Sequence, residues 1–213
     1  IGVALLANSI FRTFGRAAWL MGGRAISDAL AFALFVVLAR AFGPEGAGAY
    51  AFNFAIATIL YELVALGVEE YGVRELSRDP VGGPRLIGRL LKVQTVFALL
   101  GCAVLALLSP TLLDANPVLL ALLLLYQLGF AAARTLFIPA FVAGHLAVQT
   151  IGEIAARSGA LLFAVLVTQH SAMPSLTRAV AGLPLFALGL LVLALSSAVK
   201  HGGLALGRTS LKH

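Results

Sequence analysis

Long apolar runs, interrupted at intervals by short polar segments, dominate the pattern along the chain. About 20 consecutive apolar residues suffice for a helix to cross the hydrocarbon layer of a membrane. Gly, Pro and charged residues separate six such runs. The pattern predicts six membrane-spanning helices at about 17–40, 47–69, 90–108, 117–138, 147–168 and 177–199. The predicted fold class is therefore all-α, a polytopic membrane protein with one six-helix bundle over residues 17–200.

Turn and cap residues place the ends of these helices. Gly43 and Pro44 predict a tight outer turn after the first helix. Asn116 precedes Pro117, Pro139 is expected to end the fourth helix, and Pro184 is expected to bend the sixth. Residues 2–15 have apolar groups at helical spacing, which predicts that residues 1–16 are an amphipathic lead-in, either a short helix on the inner membrane surface or a frayed segment.

Basic residues give an orientation. The segment 69–92 is predicted to be a charged loop and is the most basic in the chain, with Arg74, Arg78, Arg85, Arg89 and Lys92. Short loops rich in Lys and Arg remain on the cytoplasmic side. The loop around Asp114 contains no Lys or Arg and is expected to face outside. Both termini are then predicted to be cytoplasmic, in a bacterial-type inner membrane.

Composition agrees with an integral membrane protein, because 61% of the residues are hydrophobic and 11% are charged. The net charge of +6 does not indicate a nucleic-acid partner, since the basic residues lie at helix ends. Cys102 is the one cysteine, which excludes a disulfide within the chain. The four histidines lack metal-ligand spacing, and no ATPase or hydrolase motif occurs. We therefore expect no enzyme activity, no catalytic residue, no metal and no cofactor.

Six charged residues lie inside the predicted helices, where charge is costly and avoids lipid. At 1.5 Å per residue, all six fall in the inner third of the membrane, which predicts a polar vestibule open to the cytoplasm. They are Arg24, Asp28, Glu62, Arg134, Glu153 and Arg157. Arg24 and Asp28 lie four residues apart, as do Glu153 and Arg157, so the six can also pair off and only hold helices together.

The sequence of the first 95 residues resembles that of a known family. The first helix ends in Ala39-Arg40, and Gly43-Pro44-Glu45, Gly48 and Tyr50 follow; later come Leu66-Gly67 and Arg74-Glu75-Leu76. This pattern resembles the N-terminal half of polysaccharide flippases that move O-antigen or other lipid-linked oligosaccharides. They form part of the multidrug/oligosaccharidyl-lipid/polysaccharide exporter superfamily. That family often has an acidic residue two places before the glycine, where this chain has Ala65; Glu62 lies a turn earlier.

The resemblance implies a two-bundle transporter that flips a lipid-linked sugar by alternating access. Its expected partners are that substrate, membrane lipid and a second six-helix bundle, in the same chain or in a partner subunit. Residues 201–213 would be a cytoplasmic tail or the start of the inter-bundle loop. On this interpretation Arg24, Arg134 and Arg157 bind the diphosphate, because guanidinium donates paired hydrogen bonds to phosphate. Asp28, Glu62 and Glu153 would orient the arginines or carry a coupling proton.

Two other functions stay open. A cation-coupled multidrug or metabolite antiporter of the same superfamily would have a cavity dominated by acidic residues. A half-length membrane subunit with a structural or scaffolding role would have charges that all pair and no open cavity.

Overall fold

The computed structural model describes residues 2–79, 81–112, 116–171 and 175–201. All the regular structure in these ranges is helical. The helices are α1 (Gly2–Ala65), α2 (Val68–Arg78), α3 (Gly83–Leu112), α4 (Pro117–Val142), α5 (Leu146–His170), α6 (Leu176–Val180) and α7 (Gly182–Lys200). The all-α prediction is confirmed.

Helix α1 consists of two arms that meet at Gly43. The glycine has φ 68° and ψ −170°, which is not helical. The chain reverses direction at this glycine. The reversal brings the rings of Phe35 and Tyr50, on opposite sides of Gly43, to a centroid distance of 6.3 Å. We call residues 2–42 the first arm and residues 44–65 the second arm. The predicted turn is confirmed, although helix continues to both sides of Gly43 and leaves no loop over 40–47. The first arm begins at Gly2 without a break at 16–17.

Replacing Gly43 by alanine should destabilise the protein by about 1–3 kcal/mol, because only glycine adopts these dihedral angles without strain. Gly48→Ala is the matched control, since Gly48 is helical and a Cβ there would meet no atom within 4 Å. Thermal unfolding in detergent measures both variants. Equal stability of the two would contradict the turn geometry.

The segment 69–92 is mostly helical, so its prediction as a loop was wrong. Helix α2 runs along the bundle end and packs on α4 and α3. It is strongly amphipathic, with Gly72 and Leu76 buried and its charged side chains on other faces. A loop was predicted because the charges were counted without their helical spacing. The turn lies at Asp79, whose Oδ1 accepts hydrogen bonds from the amides of Val81 and Gly82, each at 3.2 Å.

The third, fourth and sixth predicted helices have other bounds in the structure. Helix α4 continues past Pro139 and is followed by Gly144, which has φ 84°; the left-handed glycine ends the helix, and the proline does not. The last predicted helix is divided into α6 and α7 at Ala181. Pro184 explains this break, because it has no N–H to donate to the carbonyl of Val180. Helix α3 is longer at both ends than 90–108; Asp114 lies outside the described residues.

Helix α4 is the centre of the bundle, since it packs against every other helix that the structure describes. Phe137, Leu119, Leu123 and Ile138 on it are fully buried. Helix α5 packs against α1 and α7, and its buried small residues recur at a spacing of four: Gly152, Ala156, Ala160 and Ala164. Small residues permit such close packing of membrane helices.

Large apolar side chains cover the outer surface of the bundle, as expected where lipid is the solvent. Phe32, Leu107 and Val192 are each at least two thirds exposed. By length and composition, five helical stretches in the described ranges are apolar enough to cross a membrane. The first of these, Ala18–Arg78, has 61 residues, about three times the length that one crossing needs. The protein is thus polytopic, and six crossings stay a prediction.

Candidate functional site

A polar cavity of about 280 Å³ opens between α1, α4 and α5. All six charged residues singled out from the sequence line it: Arg24, Asp28, Glu62, Arg134, Glu153 and Arg157. They come from four helical segments, because both arms of α1 contribute. Tyr50, Tyr126 and Phe130 give the cavity aromatic walls. The predicted convergence of these side chains is therefore present, whereas their roles stay a prediction.

Arg134 is held by acids from two other helices. Its Nε lies 3.2 Å from Oε1 of Glu153, and one Nη donates a hydrogen bond to the Tyr61 hydroxyl at 3.2 Å. The same Nη lies 3.6 Å from a carboxylate oxygen of Glu69. Gln149 also donates to Glu153 at 3.1 Å. Arg134 thus joins α4 to α5, to the second arm of α1 and to α2.

Arg157 is held against the first arm of α1. One Nη donates to the backbone carbonyl of Ser27 at 2.8 Å and to Oδ1 of Asp28 at 3.3 Å. Its guanidinium carbon lies 5.4 Å from the ring centroid of Phe130, within cation–π range. Only about a fifth of the Arg157 side chain is exposed, whereas the Asp28 side chain is 65% exposed. Asp28 therefore keeps much of its carboxylate open to the cavity.

Arg24 and Glu62 differ from these pairs. Both are exposed, and both line the cavity from opposite arms of α1. Within the part of the chain that the structure describes, neither makes an ion pair within 4.0 Å or a side-chain hydrogen bond. Arg24 is thus the one cavity arginine without an acidic partner among the described residues.

The pairs favoured by sequence spacing are wrong. Arg24 and Asp28 do not pair, and neither do Glu153 and Arg157; instead Asp28 pairs with Arg157, and Glu153 with Arg134. Residues four apart share a helix face, but for Asp28, Glu153 and Arg157 another helix offers an opposite charge within 3.3 Å. These interhelical pairs turn the charges toward protein, where a charge is less costly than against lipid.

A family model described as polysaccharide biosynthesis protein matches residues 16–203, which is most of the chain. The chain belongs to this family. Its members are membrane transporters and not enzymes. No curated protein and no solved structure matches the chain at a significant level.

This family member has a second polar cavity, of about 250 Å³, next to the first. The two cavities share Arg24, Tyr61, Glu62 and Arg134. Glu69 and Glu70 also line the second cavity, although the sequence pattern placed them at the start of a loop. The sequence signal that could have revealed them is a pair of acids in the first turn of a helix that begins after Gly67. With them, five carboxylates and three arginines line the joined space.

Uncharged polar residues join the same helices. Gln127 donates to the Thr58 hydroxyl at 2.9 Å, and the buried Thr135 hydroxyl bonds to Gln94 Oε1 at 2.9 Å. Polar side chains inside apolar helices form interhelical hydrogen bonds of this kind.

Two histidines lie together at the end of the bundle where α5 begins and α7 ends. The rings of His145 and His201 have centroids 4.6 Å apart. Desolvation, with smaller contributions from His145 and Lys200, lowers the pKa of His201. Two imidazoles do not complete a tetrahedral metal site, and the described residues contain no group of three or more metal-binding side chains.

Proposed function

We propose that the protein flips a lipid-linked oligosaccharide across the cytoplasmic membrane by alternating access, as one bundle of a two-bundle transporter. Membership in a polysaccharide biosynthesis family supports a sugar cargo. A cavity between helices, lined by charged and aromatic residues, supports a cargo whose polar part lies inside the bundle. The apolar outer surface allows the lipid part to remain in the membrane.

The observation that carries the proposal is the exposed guanidinium of Arg24 in the cavity. Arg134 and Arg157 are neutralised by Glu153, Glu69 and Asp28, so their charge is already used. Arg24 has no such partner in the described residues and can offer its fork to a phosphate oxygen pair. In this proposal Arg24 binds the diphosphate. Arg134 and Arg157 hold the cavity walls, while Asp28, Glu62 and Glu153 orient them or carry a coupling proton.

A vesicle assay tests this function. The transporter, with whatever second bundle completes it, is reconstituted with a fluorescent lipid diphosphate oligosaccharide in the inner leaflet. Appearance of the label in the outer leaflet is followed with an impermeant quencher. We expect movement well above that in protein-free vesicles, and no movement of a fluorescent phosphatidylcholine. Equal rates with and without protein would refute the function.

The surplus of acids in the joined cavities favours a second candidate, cation-coupled transport of a drug or metabolite. Glu62, Glu69 and Glu70 line the second cavity and would attract a proton or metal cation. Vesicles with an imposed proton or sodium gradient distinguish the two candidates. Gradient-driven efflux of an organic cation, with no movement of the lipid diphosphate, would favour the antiporter. A purely scaffolding role is disfavoured by the open cavity and by Arg24.

The orientation is part of the proposal, with both termini, α2 and the Asp79 turn in the cytoplasm of an inner-membrane protein. In a Cys102→Ser background, Glu45→Cys should react with an impermeant thiol reagent in intact cells. Val81→Cys, which is exposed at the opposite end, should react only after permeabilisation. The reverse labelling would contradict the orientation.

A further inference from the structure

An apolar groove of about 190 Å³ lies between α3 and α4, beside the polar cavities. Val64, Leu91, Ala98, Leu99, Cys102 and Leu128 line most of it. None of its lining residues carries a charge. We call it the α3–α4 groove. Its walls differ sharply from those of the two polar cavities.

The α3–α4 groove adjoins the second polar cavity. Gln94 and Ala131 line both spaces, so these two buried side chains form the boundary between them. The hydrogen bond of Gln94 to Thr135 fixes that boundary in position. Arg24 and Arg134 lie on the polar side of it. The charged second cavity and the apolar α3–α4 groove thus lie directly next to each other.

The lining residues of the groove on α3 span about one leaflet of a membrane. Leu91 and Cys102 are eleven helical steps apart, about 16 Å, which is about half the thickness of the hydrocarbon layer. Its near end lies by Arg85, Arg89 and Lys92, basic residues that belong at the level of the head groups. In the proposed orientation the groove then extends from head-group level to about the middle of the membrane.

We propose that the α3–α4 groove holds the hydrocarbon tail of the transported lipid while its charged head group lies in the polar cavities. This rests on the proposed function. The occupant is the substrate tail and not a bulk phospholipid chain, because only a lipid whose head group enters the cavity gains from both adjoining spaces. Keeping the tail in an apolar groove also avoids exposing its methylene groups to polar walls during transport.

Photolabelling of the unmodified chain tests the occupant. Two probes are used in the same vesicles at equal concentration: a prenyl diphosphate sugar and a phosphatidylcholine, each with a diazirine in its tail. Labelled positions are mapped by mass spectrometry. We expect the diphosphate probe to label residues 91–102 and 128–132 in clear excess over the phosphatidylcholine probe. Equal labelling by the two probes would mean that membrane lipid fills the groove and would overturn the inference.

Filling the groove tests its role in transport. Ala98→Trp should lower the rate of lipid translocation about tenfold, because the indole occupies the space of the tail. Ala103→Trp is the matched control: Ala103 is exposed on α3 outside the groove, so its rate should stay within about twofold of the unmodified chain. Loss of diphosphate labelling in Ala98→Trp with normal translocation would overturn the inference and leave the flippase function intact. Labelling of the groove without translocation in the unmodified chain would refute the function and leave the tail site intact.

Discussion

Replacing Arg24 by leucine should remove most transport of the lipid-linked sugar while the protein still inserts and folds. Folding should survive because no acid among the described residues loses a partner, and because removing an unpaired charge favours insertion. Transport should fall at least about ten- to a hundredfold, the effect of losing one hydrogen bond to a charged group. The translocation rate in vesicles is the measurement.

Two further variants separate binding from mere charge at position 24. Arg24→Lys should restore only part of the rate, because an ammonium lacks the planar fork that binds two phosphate oxygens. Arg178→Leu is the matched control, since Arg178 is exposed at the start of α6 and does not line either cavity. A normal rate in Arg24→Leu would show that Arg24 is not the phosphate-binding residue.

The choice of a single substitution follows from the observed pairing. If Asp28 neutralised Arg24, as their spacing suggested, both would have to be changed together. Asp28 instead pairs with Arg157, so changing it to leucine would leave Arg157 without its acid. The double variant would then report a structural defect as well as a binding defect.

Replacing Arg134 by leucine should strongly destabilise the protein. It would leave Glu153, which is mostly buried, and the nearby Glu69 without their shared cation. Removing one partner of a buried pair costs about 3–5 kcal/mol, and the partial exposure of these groups points to the lower end. For a protein of this size, about 3 kcal/mol lowers the midpoint of thermal unfolding by about 6–12 °C.

Removing the acid as well should recover much of that loss. Arg134→Leu with Glu153→Leu leaves Glu69, which is more exposed, as the one carboxylate that lost its cation. Replacing both members of a buried pair by apolar groups is often nearly neutral. Thermal unfolding in detergent compares the single variant, the double variant and Arg178→Leu. If Arg134→Leu unfolds at the same temperature as Arg178→Leu, Arg134 does not hold the helices together.

The sequence by itself determined the helical class, the membrane environment and the reversal at Gly43. These are local properties. An apolar run in lipid can satisfy its backbone hydrogen bonds by forming a helix, and Gly43-Pro44 prevents continuation of that helix. It also determined that charges such as Arg24 and Arg134 must face protein or water, because facing lipid is too costly. That constraint was enough to predict a common polar cavity.

Only the tertiary structure decided which charge meets which. Residues four apart on one helix are fixed as neighbours by the helix, but the partner across an interface depends on helix packing, which sequence spacing does not contain. Hence Asp28 meets Arg157, at a separation of 129 residues, and Arg24 is left available. In the same way, Glu69 reaches Arg134 only because α2 packs along α4. The α3–α4 groove next to Gln94 exists only where those two helices approach each other.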